Sequence, residues 1–255
     1  MGSGSERGWG ARSMTETTQT AERIMVALDY ATAAEAERLL RMLEGIPCYM
    51  KVGMQLFYSA GPDFVRQLKE RGYKVFLDLK MHDIPNTVKG GAESITRLGV
   101  DMFNVHAAGG KRMMEAALEG VDKALNGTGA RPIVIAVTQL TSTDQTVMNR
   151  EIGIPGTVED AVVRYARTAQ AAGLDGVVAS PREVVRIKSV CGAQFATVTP
   201  GIRPAGSAIG DQSRVMTPAE AFAQGTDYVV IGRPITGADD PRAALEGIVA
   251  SIHQA

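Results

Sequence analysis

The sequence predicts an α/β protein of the (β/α)8 barrel class, folded as a single domain. Eight short apolar runs recur along the chain, longer amphipathic stretches separate them, and the 255 residues contain no composition shift that would mark a linker. A chain of about 250 residues is the usual size of one such barrel. The same alternation also fits an open doubly wound sheet, but the run count of eight favours closure, and no GxGxxG follows the first run.

Taken in order, residues 1–13, MGSGSERGWGARS, read as an expression leader, with Met14 as the expected native start and residues 14–255 as the barrel. The expected strands are IMVALD (24–29), CYMKVG (48–53), KVFLDLK (74–80), DMFNVHA (101–107), PIVIAVTQL (132–140), DGVVAS (175–180), FATVTPGI (195–202) and DYVVIG (227–232). Near-continuous apolar runs of this kind suit strands buried on both faces of a parallel sheet. Between them, TAAEAERLLRMLEG (32–45), TVKGGAESITRLG (87–99) and TVEDAVVRYARTAQAAG (157–173) carry helical periodicity and end on glycine, a common helix stop.

Composition narrows the function classes. Net charge is -1 with 22% charged residues, so nothing points to a nucleic-acid partner. Two cysteines, Cys48 and Cys191, form neither a CxxC pair nor a metal-ligand cluster, and they read as buried reduced thiols. No apolar run approaches the ~20 residues of a membrane span. The expectation is a cytoplasmic protein with no membrane or nucleic-acid partner.

In a barrel the chemistry sits at the C-terminal ends of the strands. Those ends carry Asp29, Lys51, Asp78 with Lys80, His106, Thr138 with Thr141, Ser180, Arg203 and Gly232-Arg233. Individually, several have ordinary readings: Asp29 as a helix cap, Lys51 as an exposed strand-end lysine. The stretch FLDLKMHDIPNT (76–87) is less ordinary, because an apolar strand suddenly bears Asp78, Lys80 and, before a proline turn, Asp83. On an extended strand, residues two apart share a face, so Asp78 and Lys80 are expected side by side. Arg203 and Gly232-Arg233 fall in the loops after strands 7 and 8, where barrels commonly hold a phosphate. The Gly- and Pro-rich RPAGSAIGDQ (203–212) suits a loop that closes over a ligand, although an ordinary surface loop has the same composition. His82 and His106 lack a partnered nucleophile and receive no catalytic role, and His253 reads as tail surface.

DLKMHDIPNT, preceded by VALD and KVG and followed by VTQLTS, TPGIRP and VVIGRPI, resembles the orotidine 5'-phosphate decarboxylase family over residues 24–250. DxKxxD is shared with hexulose-phosphate synthases, whereas the IPNT, GIRP and IGRPI elements are more selective. The resemblance implies a homodimer of barrels with shared sites. It would convert orotidine 5'-monophosphate to UMP in de novo pyrimidine biosynthesis without metal or organic cofactor. Carried over by motif, Asp29 and Lys51 would contact the ribose, Asp78 and Lys80 the reacting carbon, and Thr141 the pyrimidine. Arg203, Gln212, Gly232 and Arg233 would hold the phosphate, and Asp83, Ile84 and Thr87 would serve the neighbouring subunit's site.

Loss of CO2 from C6 leaves a carbanion, which an ammonium stabilises and then protonates. Lys80 is the expected donor, kept charged by flanking carboxylates. Asp78 would also repel the substrate carboxylate, a form of ground-state destabilisation. Three alternatives remain at this stage: a structural ion-pair network, a metal-dependent hexulose-phosphate synthase-like aldolase, and a phosphate-ligand binding protein without chemistry.

Overall fold

Each of the eight apolar runs becomes a strand, and among the described residues, 13–204 and 216–253 of the computed structural model, the strands close into one parallel barrel in sequence order. The chain runs α1 (Ser13–Ala21), β1 (Ile24–Ala27), α2 (Ala33–Met42), β2 (Tyr49–Gly53), α3 (Met54–Glu70), β3 (Lys74–Met81), α4 (Pro85–Arg97) and β4 (Met102–His106). It continues through α5 (Lys111–Leu125), β5 (Ile133–Val137), α6 (Val158–Ala171), β6 (Gly176–Val178), α7 (Val184–Cys191) and β7 (Ala196–Thr199). The last elements are α8 (Pro218–Ala223), β8 (Tyr228–Ile231), α9 (Arg233–Thr236) and α10 (Pro241–His253). Closure comes from the pairing of β8 with β1, Ile24 opposite Val229 and Val26 opposite Ile231. An open sheet is thereby excluded.

Two apolar layers follow from strand alternation. Met25, Tyr49, Phe76, Met102, Ile135 and Val198, one from each of six strands, form an inner cluster. Their neighbours Ile24, Val26, Met50, Val75, Leu77 and Phe103 join the larger cluster shared with the helices. Both cysteines are buried, as their lack of polar company predicts, and burial pushes the Cys48 thiol up to about 12.

Helix starts are set by local chemistry. Thr32 accepts from the Glu35 amide while Glu35 accepts from the Thr32 amide, so both donors at the start of α2 are satisfied. The Thr157 hydroxyl accepts from the Asp160 amide at the start of α6, without the reciprocal bond, and Pro85 opens α4 at the first helical position, where a missing N–H costs nothing.

The strand beginnings share a staple. Asp101, Asp175 and Asp227, each just before a strand, accept from the backbone N–H groups of Val75, Val134 and Thr197 on the preceding strand, all at 2.7 Å. Each carboxylate also pairs with a cation from outside the sheet: Lys69, Arg131 and Lys188 respectively. Charge at this end of the barrel fixes register, leaving the opposite end for chemistry.

α4 and α5 approach most closely at Gly120. A Cβ there would stand 2.2 Å from the Lys89 carbonyl oxygen and 3.0 Å from the Glu93 nitrogen. Gly120→Ala should therefore force the two helices apart at a cost of about 1–3 kcal/mol. Thermal unfolding should register about 2–4 °C per kcal/mol for a domain of this size. An unchanged Tm would show that the helices part without strain.

Candidate active site

A cavity of about 510 Å³ opens at the C-terminal end of the barrel, within the range usual for small-molecule sites. Phe76 and Val198 of the inner cluster form part of its floor. Asp29 lines it from just beyond β1, Lys51 from β2, Asp78 and Lys80 from β3, Gln139, Thr141 and Ser142 from beyond β5, and Arg203, Gly232 and Arg233 from beyond β7 and β8.

The charged group around β3 depends on an irregularity in that strand. Pairing with β4 runs Phe76 to Met102 and Leu77 to Phe103, then resumes at Met81 with Val105, so four steps on β3 match two on β4. Lys80 sits within this bulge at φ 52°, a left-handed backbone that costs a non-glycine residue roughly 1–2 kcal/mol. The regular alternation expected from FLDLK does not describe the stretch. Asp78 and Lys80 do meet, but a bulged and turned backbone brings them together.

The contacts form a chain of alternating charge. Lys80 Nζ donates to Asp78 Oδ1 at 2.6 Å, and Lys51 Nζ lies 3.4 Å from both Asp78 Oδ2 and Asp29 Oδ1. Burial grades along it: the side chains of Asp78 and Lys51 are 12% and 10% exposed, that of Asp29 68%. Burial alone would push the Asp78 carboxyl up. The charge of Lys51, the charge and hydrogen bond of Lys80, and a hydrogen bond from Asn104 outweigh it and leave the carboxyl below its ordinary value. Lys51 is thus no exposed strand-end lysine: it is buried between two carboxylates.

Other expectations fare differently. Asp83, Ile84 and Thr87 are exposed and do not line the cavity of their own chain. Asp83 is not within ion-pair distance of Lys80, and its carboxylate accepts from the Ile84 amide at 2.6 Å. Gln212 lies outside the described residues. Thr138 is buried and donates to the Val178 carbonyl at 2.9 Å, so it ties β5 to β6 instead of facing the cavity. Ser180 donates its amide to Glu183 at 2.9 Å and starts a helical turn. His106 packs against His82 with ring centroids 5.6 Å apart. Burial, with help from the charges of His82 and Lys80, holds it below its ordinary value. Asn104 was not singled out, although an asparagine within the apolar run DMFNVHA is a legible signal: it is 1% exposed and contacts both Asp78 and Lys80.

Residues 22–248 match the model of the orotidine 5'-phosphate decarboxylase / HUMPS family. The chain belongs to that family. The match takes in the cavity lining from Asp29 to Arg233. Among relatives, the orotidine 5'-phosphate decarboxylase of Moorella thermoacetica is 54% identical over 232 residues, covering 91% of this chain and 92% of the relative. That of Bacillus cereus is 51% identical over 227 residues, 89% and 95% of the two chains. A crystal structure of orotidine 5'-phosphate decarboxylase from Lactobacillus acidophilus superposes with a TM-score of 0.81 at 41% identity, covering 90% of this chain and 98% of that one. In this member of the orotidine 5'-phosphate decarboxylase / HUMPS family, the DxKxxD motif therefore supplies two residues to its own cavity and presents the third on the surface.

The charge of Lys51 is the largest single contribution that favours the Asp78 carboxylate, ahead of the charge of Lys80 and, separately, the Lys80 hydrogen bond. Because the Asp78 carboxyl is depressed, its pairing stabilises the fold above the ordinary carboxylate range, about 3.9, and is lost as pH falls through the folded value. Lys51→Met should move the Asp78 titration midpoint upward, as followed by carboxyl 13C shifts. A midpoint that stays in place would mean that Lys80 and Asn104 suffice.

Proposed function

We propose that this chain is a carboxy-lyase that converts orotidine 5'-monophosphate to UMP in de novo pyrimidine biosynthesis. The observation that carries the reading is the Lys51–Asp78–Lys80 array, largely withdrawn from solvent, in a cavity that Arg203 and Arg233 also line. The relatives named for this activity are more than half identical over nearly their whole length.

The substrate phosphate is held by Arg203, Gln212, Gly232 and Arg233, and the ribose by Asp29 and Lys51. Thr141 meets the pyrimidine. This orientation directs C6 and its carboxylate toward Asp78 and Lys80. Heterolysis of the C6–CO2 bond releases CO2 and leaves its electron pair on C6. The Lys80 ammonium stabilises that charge and then delivers its proton to C6, giving UMP. Asp78 keeps Lys80 charged in a site that excludes water, and its own charge opposes that of the substrate carboxylate until CO2 departs. Remote phosphate binding supplies orientation that the small reacting ring has too few contacts to secure alone.

The metal-dependent aldolase reading is disfavoured, because both oxygens of Asp78 already face ammonium groups. Among the described residues no group of three or more His, Cys, Asp or Glu side chains is arranged to hold a metal ion. Buried thiols at Cys48 and Cys191 suit a reducing compartment, and we place the reaction in the cytoplasm. No helix among the described residues is long and apolar enough to cross a membrane.

The exposed Asp83, Ile84 and Thr87 fit service to a second copy of the chain. Ile84 is 67% exposed after β3, while Met54 and Tyr58, 46% and 72% exposed, follow the adjacent β2. Together they offer an apolar margin beside the cavity for a twofold partner.

The direct test follows the pyrimidine absorbance change on adding orotidine 5'-monophosphate to protein dialysed against a chelator. Turnover is expected without metal. No turnover with folded protein overturns the reading, and activity restored only by Mg2+ favours the aldolase. The shared site has its own test, since Lys80→Ala and Asp83→Ala homodimers should each be nearly inactive. Random exchange between them makes about half the dimers mixed, each with one intact site, so activity should return to roughly a quarter of wild type. A confirmed exchange without recovery means that Asp83 acts within its own chain.

A further inference from the structure

Asn104 lies on β4, opposite Ile135 of β5 and beside the bulge of β3, and it is 1% exposed. Its Oδ1 accepts from the backbone N–H of Lys80 at 2.9 Å, and its Nδ2 donates to Asp78 Oδ1 at 2.8 Å. Chemistry fixes this orientation. A backbone N–H only donates and an ionised carboxylate only accepts, so the amide has one way to satisfy both. An ionised carboxylate has no donor, an apolar side chain has neither function, and a hydroxyl carries both on one atom, so none of these spans the fork.

The two bonds act on different parts of one device. The first holds Lys80 at φ 52°, the strained backbone that lets its ammonium turn back onto Asp78 two residues earlier. The second holds Asp78 Oδ1, the same oxygen that receives Lys80 Nζ. With Lys51 placed toward Oδ2, the carboxylate is fixed from three directions by β2, β3 and β4.

We propose that Asn104 is a positioning residue for decarboxylation: its side-chain amide bridges the Lys80 backbone and the Asp78 carboxylate and so sets where the proton donor stands relative to the bound ring. The inference rests on the function proposed above for Asp78 and Lys80. Asn104 itself does not line the cavity and touches no substrate.

Two substitutions separate positioning from packing. Asn104→Asp keeps an acceptor for Lys80 but sets a second carboxyl against Asp78. The pair then shares a proton, and one of its two titrations rises above the ordinary carboxylate range. A step absent from wild type should appear in the kcat profile against pH and in carboxyl 13C titration. Asn104→Ala removes both bonds, and kcat should fall between about 10- and 100-fold, the effect of displacing a catalytic group by up to 1 Å. Affinity for UMP should change far less. A folded Asn104→Asp with the wild-type pH profile, or a folded Asn104→Ala with wild-type kcat, overturns the proposal.

If neither variant folds, hydrogen exchange in the wild-type protein decides. The Lys80 backbone amide and the Asn104 side-chain amide should be protected, and exchange at the rate of an open peptide overturns the proposal. The titration and exchange arms need no turnover. Should wild type fail to decarboxylate orotidine 5'-monophosphate, the functional reading falls while the bridging role of Asn104 is still judged.

Discussion

The Asp78 carboxylate, removed from water at the end of β3, is the constraint around which the site is built. An isolated buried carboxylate would take up a proton. Its charge persists because Lys51 comes from β2, Lys80 from the bulge of β3 and Asn104 from β4, so three consecutive strands converge on one group. The carboxylate in turn gives two lysines a reason to be near each other. Without it their ammonium groups would repel one another at the side of the cavity.

The barrel divides its charged groups between its ends. Before β4, β6 and β8, aspartates bind backbone amides of the preceding strand and external cations, which fixes register. Beyond the opposite ends, charges face a cavity: Lys51 and Asp78 deep in it, Asp29 with its side chain 68% exposed, and Arg233 exposed at the start of the short helix α9. The strain at Lys80 belongs to the same logic, a local cost that the stapled sheet around it sustains.

Much of this was legible in the sequence because its period is short-ranged. Eight apolar runs between amphipathic stretches specify strands and helices residue by residue, and strand ends are read by where apolar character stops. Hence Asp29, Lys51, Asp78, Lys80, Thr141, Arg203, Gly232 and Arg233 all reach the cavity rim from their places in the chain. The family resemblance over residues 24–250 agrees with the matched residues 22–248.

What the sequence alone determined was the order of elements and the identity of the charged groups. What only the tertiary structure decided was how those groups are held. Thr138 and Ser180 sit at strand ends like the others, yet hydrogen bonds to Val178 and Glu183 draw them into the scaffold. Asp83 follows Lys80 by three residues, yet the turn into α4 carries it onto the surface. Lys80 reaches Asp78 through a bulge that alternation does not foretell, and Asn104 supports it from a strand 24 residues later. These outcomes depend on cross-strand register and on which donor finds which acceptor after the barrel closes. Such pairings link residues far apart in the chain, so no local pattern encodes them.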